Sequence, residues 1–529
     1  MSLEPRGIIR DQIHGFIQIN RLEYQLIQHP FLRRLHGVKQ LGMAHLVFPG
    51  ASHTRFNHSL GTMHVAGKMS EVAVRQARRG ELCGYFFRHC DKGVDEFIEV
   101  ARLAGLLHDI GHPPLSHQVE NSLVLVARKK MMMSNAYSLV AELVNKYGGS
   151  FHEAFTKHFL HEMEKWYEDR GMSTIASYLR AAAAVLGAGE PETLEELGIS
   201  SEAATILSSM ISGQVFDADR LDYLVRDALM SGVVFGNIDI ERLILGLQLE
   251  LAVDEKTGEK RVVLGVHPRS LQTLEDMFDA RYKMFKTVYY HHKLISINVA
   301  ITRVVELLID HWEEVAPSPL QRGLDGPDDL YRPDKIASLI LNGYTLYTDS
   351  DFDHVLFNMA SSNDKLLRRW ANALLSDRWL LPISIAKRPD TLVTDAAMRA
   401  GVLDPKSDID DLLNIIIFIH NSDKVIQNRF KELIYKIIKN EISNVSEDDI
   451  IVEVQSERIV KNDKAVEASL SLRSLYLYFI GKVGRLILLY PYVYSDSIDV
   501  HRVLYKRRND LRNIFRKVIE DIMLEFSHS

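Results

Sequence analysis

The sequence predicts a mainly α protein, a helical core with a smaller α+β region toward the C-terminal end. Apolar residues recur at helical spacing over most of the chain, candidate strands are short and few, and Gly or Pro stands where the periodic runs stop.

Taken in order, residues 16–19 and 46–49 are the first candidate strands. Ala66, Met69, Ala73 and Ala77 then form a helical stripe that ends at Arg79-Gly80. Residues 97–109 are largely apolar and stop before Gly111-His112-Pro113-Pro114, where proline breaks a helix. Residues 219–231 carry Leu221, Leu224, Val225, Ala228 and Leu229 on one side and stop at Gly232. Residues 249–266 read as a hairpin around Asp254-Glu255-Lys256-Thr257-Gly258. Residues 271–300 and 503–526 read as long helices, 316–334 as a Pro-, Gly- and Asp-rich loop, and 449–460 as a strand pair or an edge. These elements predict a core over residues 1–310, a helical extension over 311–430 and an α+β region over 431–529.

Composition narrows the classes. The chain has 529 residues, 46% hydrophobic and 25% charged, with net charge −7. A protein that neutralises a run of nucleic-acid phosphates is usually basic, so nucleic acid is an unsupported partner and any anion must be held locally. Residues 1–12 carry mixed charge and no apolar run, so no signal peptide is expected. The best candidate span, residues 475–494, has Lys482 and Arg485 in its middle, so no membrane crossing is expected. Only Cys83 and Cys90 occur, and they are expected to be free thiols in a reducing, cytoplasmic setting.

Four segments carry the chemistry: Arg55-Phe56-Asn57-His58, His108-Asp109-Ile110-Gly111-His112, Phe151-His152-Glu153 and Asp217-Ala218-Asp219-Arg220-Leu221-Asp222-Tyr223. Mixed His and Asp ligands suit Mn, Fe or Mg better than a thiolate zinc site. His108 and Asp109 are neighbours near a helix end, about 100° apart around the axis, and can reach one ion from adjacent positions. His58 and Asp219 would complete the set from other helices. A lone His-Asp pair is more often a surface or capping feature, so the case rests on the ordered combination and the arginines beside it. Asp219, Tyr223 and Asp227 recur at i, i+4 and i+8, on one helix face. That face either lines a cleft or is solvated, with Asp222 and Arg226 paired on it. His117 and Glu120 are three apart, a spacing that lets a carboxylate orient an imidazole for proton transfer; the alternative is a capping role.

These residues, with Asp11-Gln12-Ile13-His14-Gly15, Lys39-Gln40-Leu41-Gly42, Val47 to His53 and Asp276-Met277-Phe278, resemble the HD-domain metal phosphohydrolases. More narrowly, residues 7–300 resemble the deoxynucleoside triphosphate (dNTP) triphosphohydrolases. The resemblance implies an HD-domain helical core and a divalent metal (Mn, Fe or Mg) on His58, His108, Asp109 and Asp219. It implies dNTP cleavage to deoxynucleoside and inorganic triphosphate by water attack at the α-phosphorus. It gives His117 the part of leaving-group acid, beside Glu120, His112 and His152. Arg55, Arg220 and Arg281 resemble the family's phosphate-binding cations, and Gln40, Leu41, Tyr223, Asp227 and Tyr289 its sugar contacts. A triphosphate carries about three to four negative charges, which three arginines and a metal can meet. The resemblance further implies a homo-oligomer, dimer or tetramer, and a nucleotide activator.

Departures accompany it. Gln28 and His36 stand where activated members carry the Asp and Arg that recognise guanine, and His292 replaces a family Lys. The match begins near Met1, so no sterile-alpha-motif domain is expected ahead of the core. Two rival readings stand beside it. One is another HD phosphoesterase, a nucleoside monophosphatase or cyclic-nucleotide phosphodiesterase, which the Arg281 and Tyr289 segment disfavours. The other is a nucleotide-sensing or single-strand nucleic-acid-binding protein with weak catalysis, which the intact ligand set disfavours.

Overall fold

The computed structural model describes residues 4–78, 82–90, 92–129, 150–213, 216–253, 260–376, 381–384, 399, 423–442, 451–458, 487–495 and 498–527. The chain divides into two compact units, Met1–Ala280 with Asn298–Leu375, and Arg281–Ile297 with Ser376–Ser529. The described elements are mainly helical, with three small antiparallel sheets.

In the first unit the central element is helix Arg55–Ala77, buried on most of its surface. It packs against helices Val94–Leu107 and Ala218–Ser231. Small residues allow the close crossings: a Cβ at Gly61 would collide with the Asp222 carboxylate of the third helix. Helices Phe151–Glu168 and Ser173–Val185 pack as a neighbouring pair, with Phe159 stacked on Phe31 at 4.4 Å. The hairpin Pro5–Asp11 with Gly15–Asn20 buries Ile17 and Ile19. A second hairpin, Leu247–Val253 with Lys260–Val266, forms where residues 249–266 predict one.

Residues 298–375 group with this unit, with no break at 311. The physical reason is Arg34, which is 1% exposed. Its guanidinium donates to Ile110 O at 3.0 Å and His112 O at 2.7 Å on one side, and to Tyr347 O at 2.8 Å on the other. A buried guanidinium must find several acceptors, and here carbonyls from both segments supply them.

The second unit, described by itself, has a three-stranded antiparallel sheet with Ile487–Ser495 between Leu381–Ser384 and Ile451–Arg458. Helix Asp423–Lys439 carries Ile426, Phe430, Ile434 and Ile438 at four-residue spacing, all fully buried. Its partner is helix Arg508–Ser527, with Phe430 and Phe515 ring centroids 5.0 Å apart.

Several local expectations change. Residues 46–49 end a 3-10 turn (Gly42–Leu46) and are not a strand. The expected helix over 271–300 is interrupted by a π-helical turn, Phe285–Tyr289, between Leu271–Met284 and His292–Asp310. Residues 503–526 fall in two helices, Ile498–Lys506 and Arg508–Ser527. Residues 316–334 contain short helical turns, Ser318–Gly323 and Pro327–Tyr331. Arg79-Gly80, and most of the 475–494 segment, lie outside the described residues. Among the described residues no helix is long and apolar enough to cross a membrane. Cys83 and Cys90, expected to be free thiols, are joined in a disulfide with Cα atoms 5.8 Å apart. The expectation rested on compartment and count, which say nothing of local geometry.

A buried charge network ties the hairpin to the central helices. Asn20 caps helix Arg21–Ile27: its Oδ1 accepts from Glu23 N, and Glu23 Oε2 accepts from Asn20 N. Glu23 Oε1 accepts from Arg102 Nε at 2.5 Å, while Asn20 Nδ2 donates to Glu99 Oε2 at 2.6 Å. Of the two buried carboxylates, Arg102 bonds Glu23, and Glu99 has Asn20 as its hydrogen-bond partner. Burial and then the Glu23 charge push Glu99 up to about 8, against the pull of Asn20 and Arg102. The folded value lies above the unfolded one, so ionising Glu99 opposes folding increasingly as pH rises from about 4.5 through 8. Glu99→Gln is expected to raise Tm little at pH 5 and progressively more toward pH 8. A Tm difference that stays constant with pH in thermal melts would contradict this.

Candidate metal centre

The site is built where helix termini meet. Helix Arg55–Ala77 begins beside Thr54, whose N–H donates to Asn57 Oδ1 at 3.1 Å, and His58 follows in the first turn, fully buried. His108 is the C-cap of helix Val94–Leu107, and its Nδ1 donates to Gly105 O at 2.8 Å. Asp217 caps helix Ala218–Ser231 by accepting from Arg220 N at 2.7 Å, which places Asp219 in the first turn.

These elements bring the four expected ligands together. His58 Nε2 lies 3.0 Å from Asp219 Oδ1 and 3.6 Å from Asp109 Oδ2. His108 Nε2 lies 3.4 Å from Asp109 Oδ1 and 3.8 Å from Asp219 Oδ1. Ligand atoms of His58, His108 and Asp219 all lie within 4.8 Å of one another and could hold a metal ion. Asp109 is also gripped by Arg55, whose Nη1 donates to Oδ2 at 2.5 Å.

The donor set fits a divalent cation. Among the described residues, His58 Nε2 and His108 Nε2 are buried without a hydrogen bond, the 3.0 Å approach of Asp219 to His58 lacking hydrogen-bond geometry. An orphaned buried polar atom costs roughly 1–3 kcal/mol. Both rings have Nδ1 engaged as a donor, so both present the Nε2 lone pair inward, the tautomer a metal requires. Burial pulls His58 down, but the Asp219 and Asp222 carboxylates outweigh it and hold the imidazole up at about 10. Burial likewise works against His108, and Asp109 and Asp219 raise it. Asp109 is held well below the usual carboxylate range: burial opposes this, while His108 and Arg55 carry it. A proton and a metal ion compete for this negative pocket.

Behind His58 stands Asp222, which lies in the Asp217 to Tyr223 segment but for which the sequence predicts no ligand role. Asp222 is fully buried, and it accepts from His58 Nδ1 at 2.8 Å, His14 Nε2 at 2.7 Å and Arg226 Nε at 2.9 Å. Arg226 in turn donates to Asp11 at 2.9 Å. Asp222 and Arg226 are paired, as the solvated-face alternative supposed, but in the core and not in water. The i,i+4 spacing of an acid and a base was the available signal, and it does not tell a surface pair from a buried one.

A second group lies against the first. His117 Nδ1 and His152 Nδ1 each approach Glu120 at 2.8 Å, one on each carboxylate oxygen. His112 stacks on His152 at 3.9 Å, and its Nε2 lies 3.3 Å from Asp109 Oδ1. Burial raises Glu120, but His152 and His117 more than reverse this and hold it well below its ordinary value. Burial, with Arg55 and His152 beside it, holds His112 well below its ordinary value. His152 is raised: burial opposes, and Glu120 prevails. His117 is the accessible member, its side chain 57% exposed. Gly111 makes the approach possible, because a Cβ there would collide with His152 O and Thr156 N.

The expected substrate contacts are distributed. Arg55 is buried and bonds Asp109, Ser116 Oγ (2.9 Å) and Gln40 O (3.5 Å). Arg220 donates to Gly213 O at 2.7 Å. Gln40 is buried with Oε1 unbonded among the described residues, and Leu41 precedes the Gly42–Leu46 turn. Tyr223 faces His58 with ring centroids 6.5 Å apart. Asp227 is buried and accepts from His53 Nε2 at 2.8 Å. Arg281 and Tyr289 belong to the second unit, where the Arg281 guanidinium lies 4.7 Å from the Phe285 ring centre and Tyr289 packs on that ring at 4.9 Å.

Residues 55–204 match the HD domain family. It is similar to the deoxynucleoside triphosphate triphosphohydrolase SAMHD1 of Danio rerio, 27% identical over 367 residues, 68% of this chain and 52% of that one. It is also 29% identical over 307 residues to an uncharacterized protein of Methanocaldococcus jannaschii, covering 58% of this chain and 50% of the other. The chain spans about half the length of the curated relatives it matches. A phosphohydrolase from Bacteroides thetaiotaomicron shares the fold, with TM-score 0.57 at 23% identity over 93% of this chain and 100% of that one.

Asp222→Asn removes the charge behind His58 while keeping the shape. It is expected to weaken divalent-metal affinity about ten- to a hundredfold, read by chelator competition. Wild-type affinity in that variant would remove Asp222 from the centre.

Proposed function

We propose that the protein is a metal-dependent dNTP triphosphohydrolase that yields deoxynucleoside and inorganic triphosphate. The observation that carries the reading is the pairing of two groups through Asp109: a His/His/Asp/Asp cluster on one side and the Glu120-braced histidines on the other. The similarity to SAMHD1, over 68% of this chain, supports the substrate class.

A divalent cation bound by His58, His108, Asp109 and Asp219 supplies Lewis-acid polarisation of a phosphoryl oxygen and a lowered water pKa. The chain's own residues do the rest. Burial lowers His117, and Glu120, which accepts from its Nδ1, works against that fall and leaves Nε2 to hand over a proton. Water attacks the α-phosphorus, the bond from phosphorus to the 5′ oxygen breaks, and that oxygen takes the His117 proton. Arg55 holds Asp109 in register and offers positive charge beside the centre. Arg220 and Tyr223, on the helix that carries Asp219, are proposed as phosphate and sugar contacts. Arg281 and Tyr289 are proposed for the same roles, and a dimer or tetramer as the assembly, on the family resemblance alone; the cytoplasmic setting is proposed on the scarcity of cysteine.

The test is product identity. Purified protein with Mn²⁺, Fe²⁺ or Mg²⁺ and each dNTP, singly and mixed, is expected to release inorganic triphosphate. Pyrophosphate or orthophosphate as first product would overturn the reading. Asp219→Ala is expected to bring metal-dependent turnover below detection; undiminished turnover would remove Asp219 from the centre.

A further inference from the structure

Residues 113–116 link His112 to helix His117–Lys129, and their backbone is unusual. Leu115 and Ser116 have φ of 55° and 57°, two consecutive non-glycine residues in the left-handed region. Such residues persist only where surrounding contacts over-determine them, and they cluster at functional sites. The contacts here are specific. Leu115 N donates to Asp349 Oδ1 at 2.7 Å. Ser116 Oγ donates to Lys39 O at 2.7 Å and accepts from Arg55 Nε at 2.9 Å. The other oxygen of Asp349 accepts from Lys39 N at 3.0 Å.

One carboxylate, 3% exposed, therefore ties together the loop that carries His112 and His117 and the segment that carries Gln40. From Asp349 the bonded chain runs through Leu115 and Ser116 to Arg55, and from Arg55 to Asp109. Asp349 comes from the first turn of helix Asp349–Ser361, well outside the HD-matching residues. Arg34, bonded to Ile110 O, His112 O and Tyr347 O, separately ties the His112 loop to the residues just before Asp349.

We infer that Asp349 is a positioning residue: its carboxylate fixes the left-handed turn at Leu115–Ser116 and so sets the places of His112 and His117. Its catalytic consequence rests on the triphosphohydrolase reading. The backbone part of the claim does not.

The test uses the full chain with Asp349→Ala and Asp349→Asn. Alanine removes both acceptors; asparagine keeps one and turns a donor toward the other N–H. Asp349→Ala is expected to lower kcat about a hundredfold, with KM and bound metal within twofold of wild type, and Asp349→Asn to fall between. The kcat–pH limb that reports the acid is expected to shift in both. Amide hydrogen exchange in a peptide covering residues 113–122 is expected to quicken, with residues 55–77 unchanged. Unchanged exchange at 113–122, or unchanged kcat and pH profile in a metal-loaded variant, overturns the inference. If alanine fails to fold, the asparagine variant decides by the same readouts. If the wild type releases no triphosphate, the function reading fails, and the exchange experiment alone decides the role of Asp349.

Discussion

The Asp222 carboxylate is where the candidate metal centre meets the core. It lies at the contact between helices Arg55–Ala77 and Ala218–Ser231, against Gly61, and it holds both His58 and Arg226. Without that acceptor the His58 ring has no fixed tautomer, and Arg226 would be a buried charge paired only with Asp11. Burying such a network pays only when every member is bonded. Here His14, His58, His108, Arg55 and Arg226 face Asp11, Asp109, Asp219 and Asp222, and the atoms left over, His58 Nε2 and His108 Nε2, are those a cation would take.

The same logic explains the second group. Glu120 has two oxygens and two imidazole partners, and His112 is pressed against His152, with its Nε2 3.3 Å from Asp109 Oδ1. Asp109 is common to both groups and is held by Arg55, so one arginine sets the spacing between them. The helix termini give each group its polarity: Asp219, His117 and His152 all stand at N-terminal turns, where side chains point into shared space.

Much of the fold was legible because its helices are long and periodic. Helices Val94–Leu107 and Ala218–Ser231 fall within a few residues of the reading from apolar spacing. Short-range spacing also marked the His117–Glu120 pair. What stayed hidden depends on long-range contact. Arg34 and Asp349 act across roughly 76 and 234 positions of chain, and nothing local marks either. Asp222 looked like half of a surface pair because spacing does not report depth. The π-turn at Phe285–Tyr289 broke a stretch that reads as one continuous helix, and the Cys83–Cys90 bond depends on a local approach that composition does not encode.

The central claim is that this centre directs water to the α-phosphorus. Hydrolysis of a dNTP in ¹⁸O-labelled water reads that directly, with both products examined by mass spectrometry. The account predicts one labelled oxygen in the released triphosphate and none in the deoxynucleoside. Label in the deoxynucleoside, or in pyrophosphate or orthophosphate released in place of triphosphate, would contradict it.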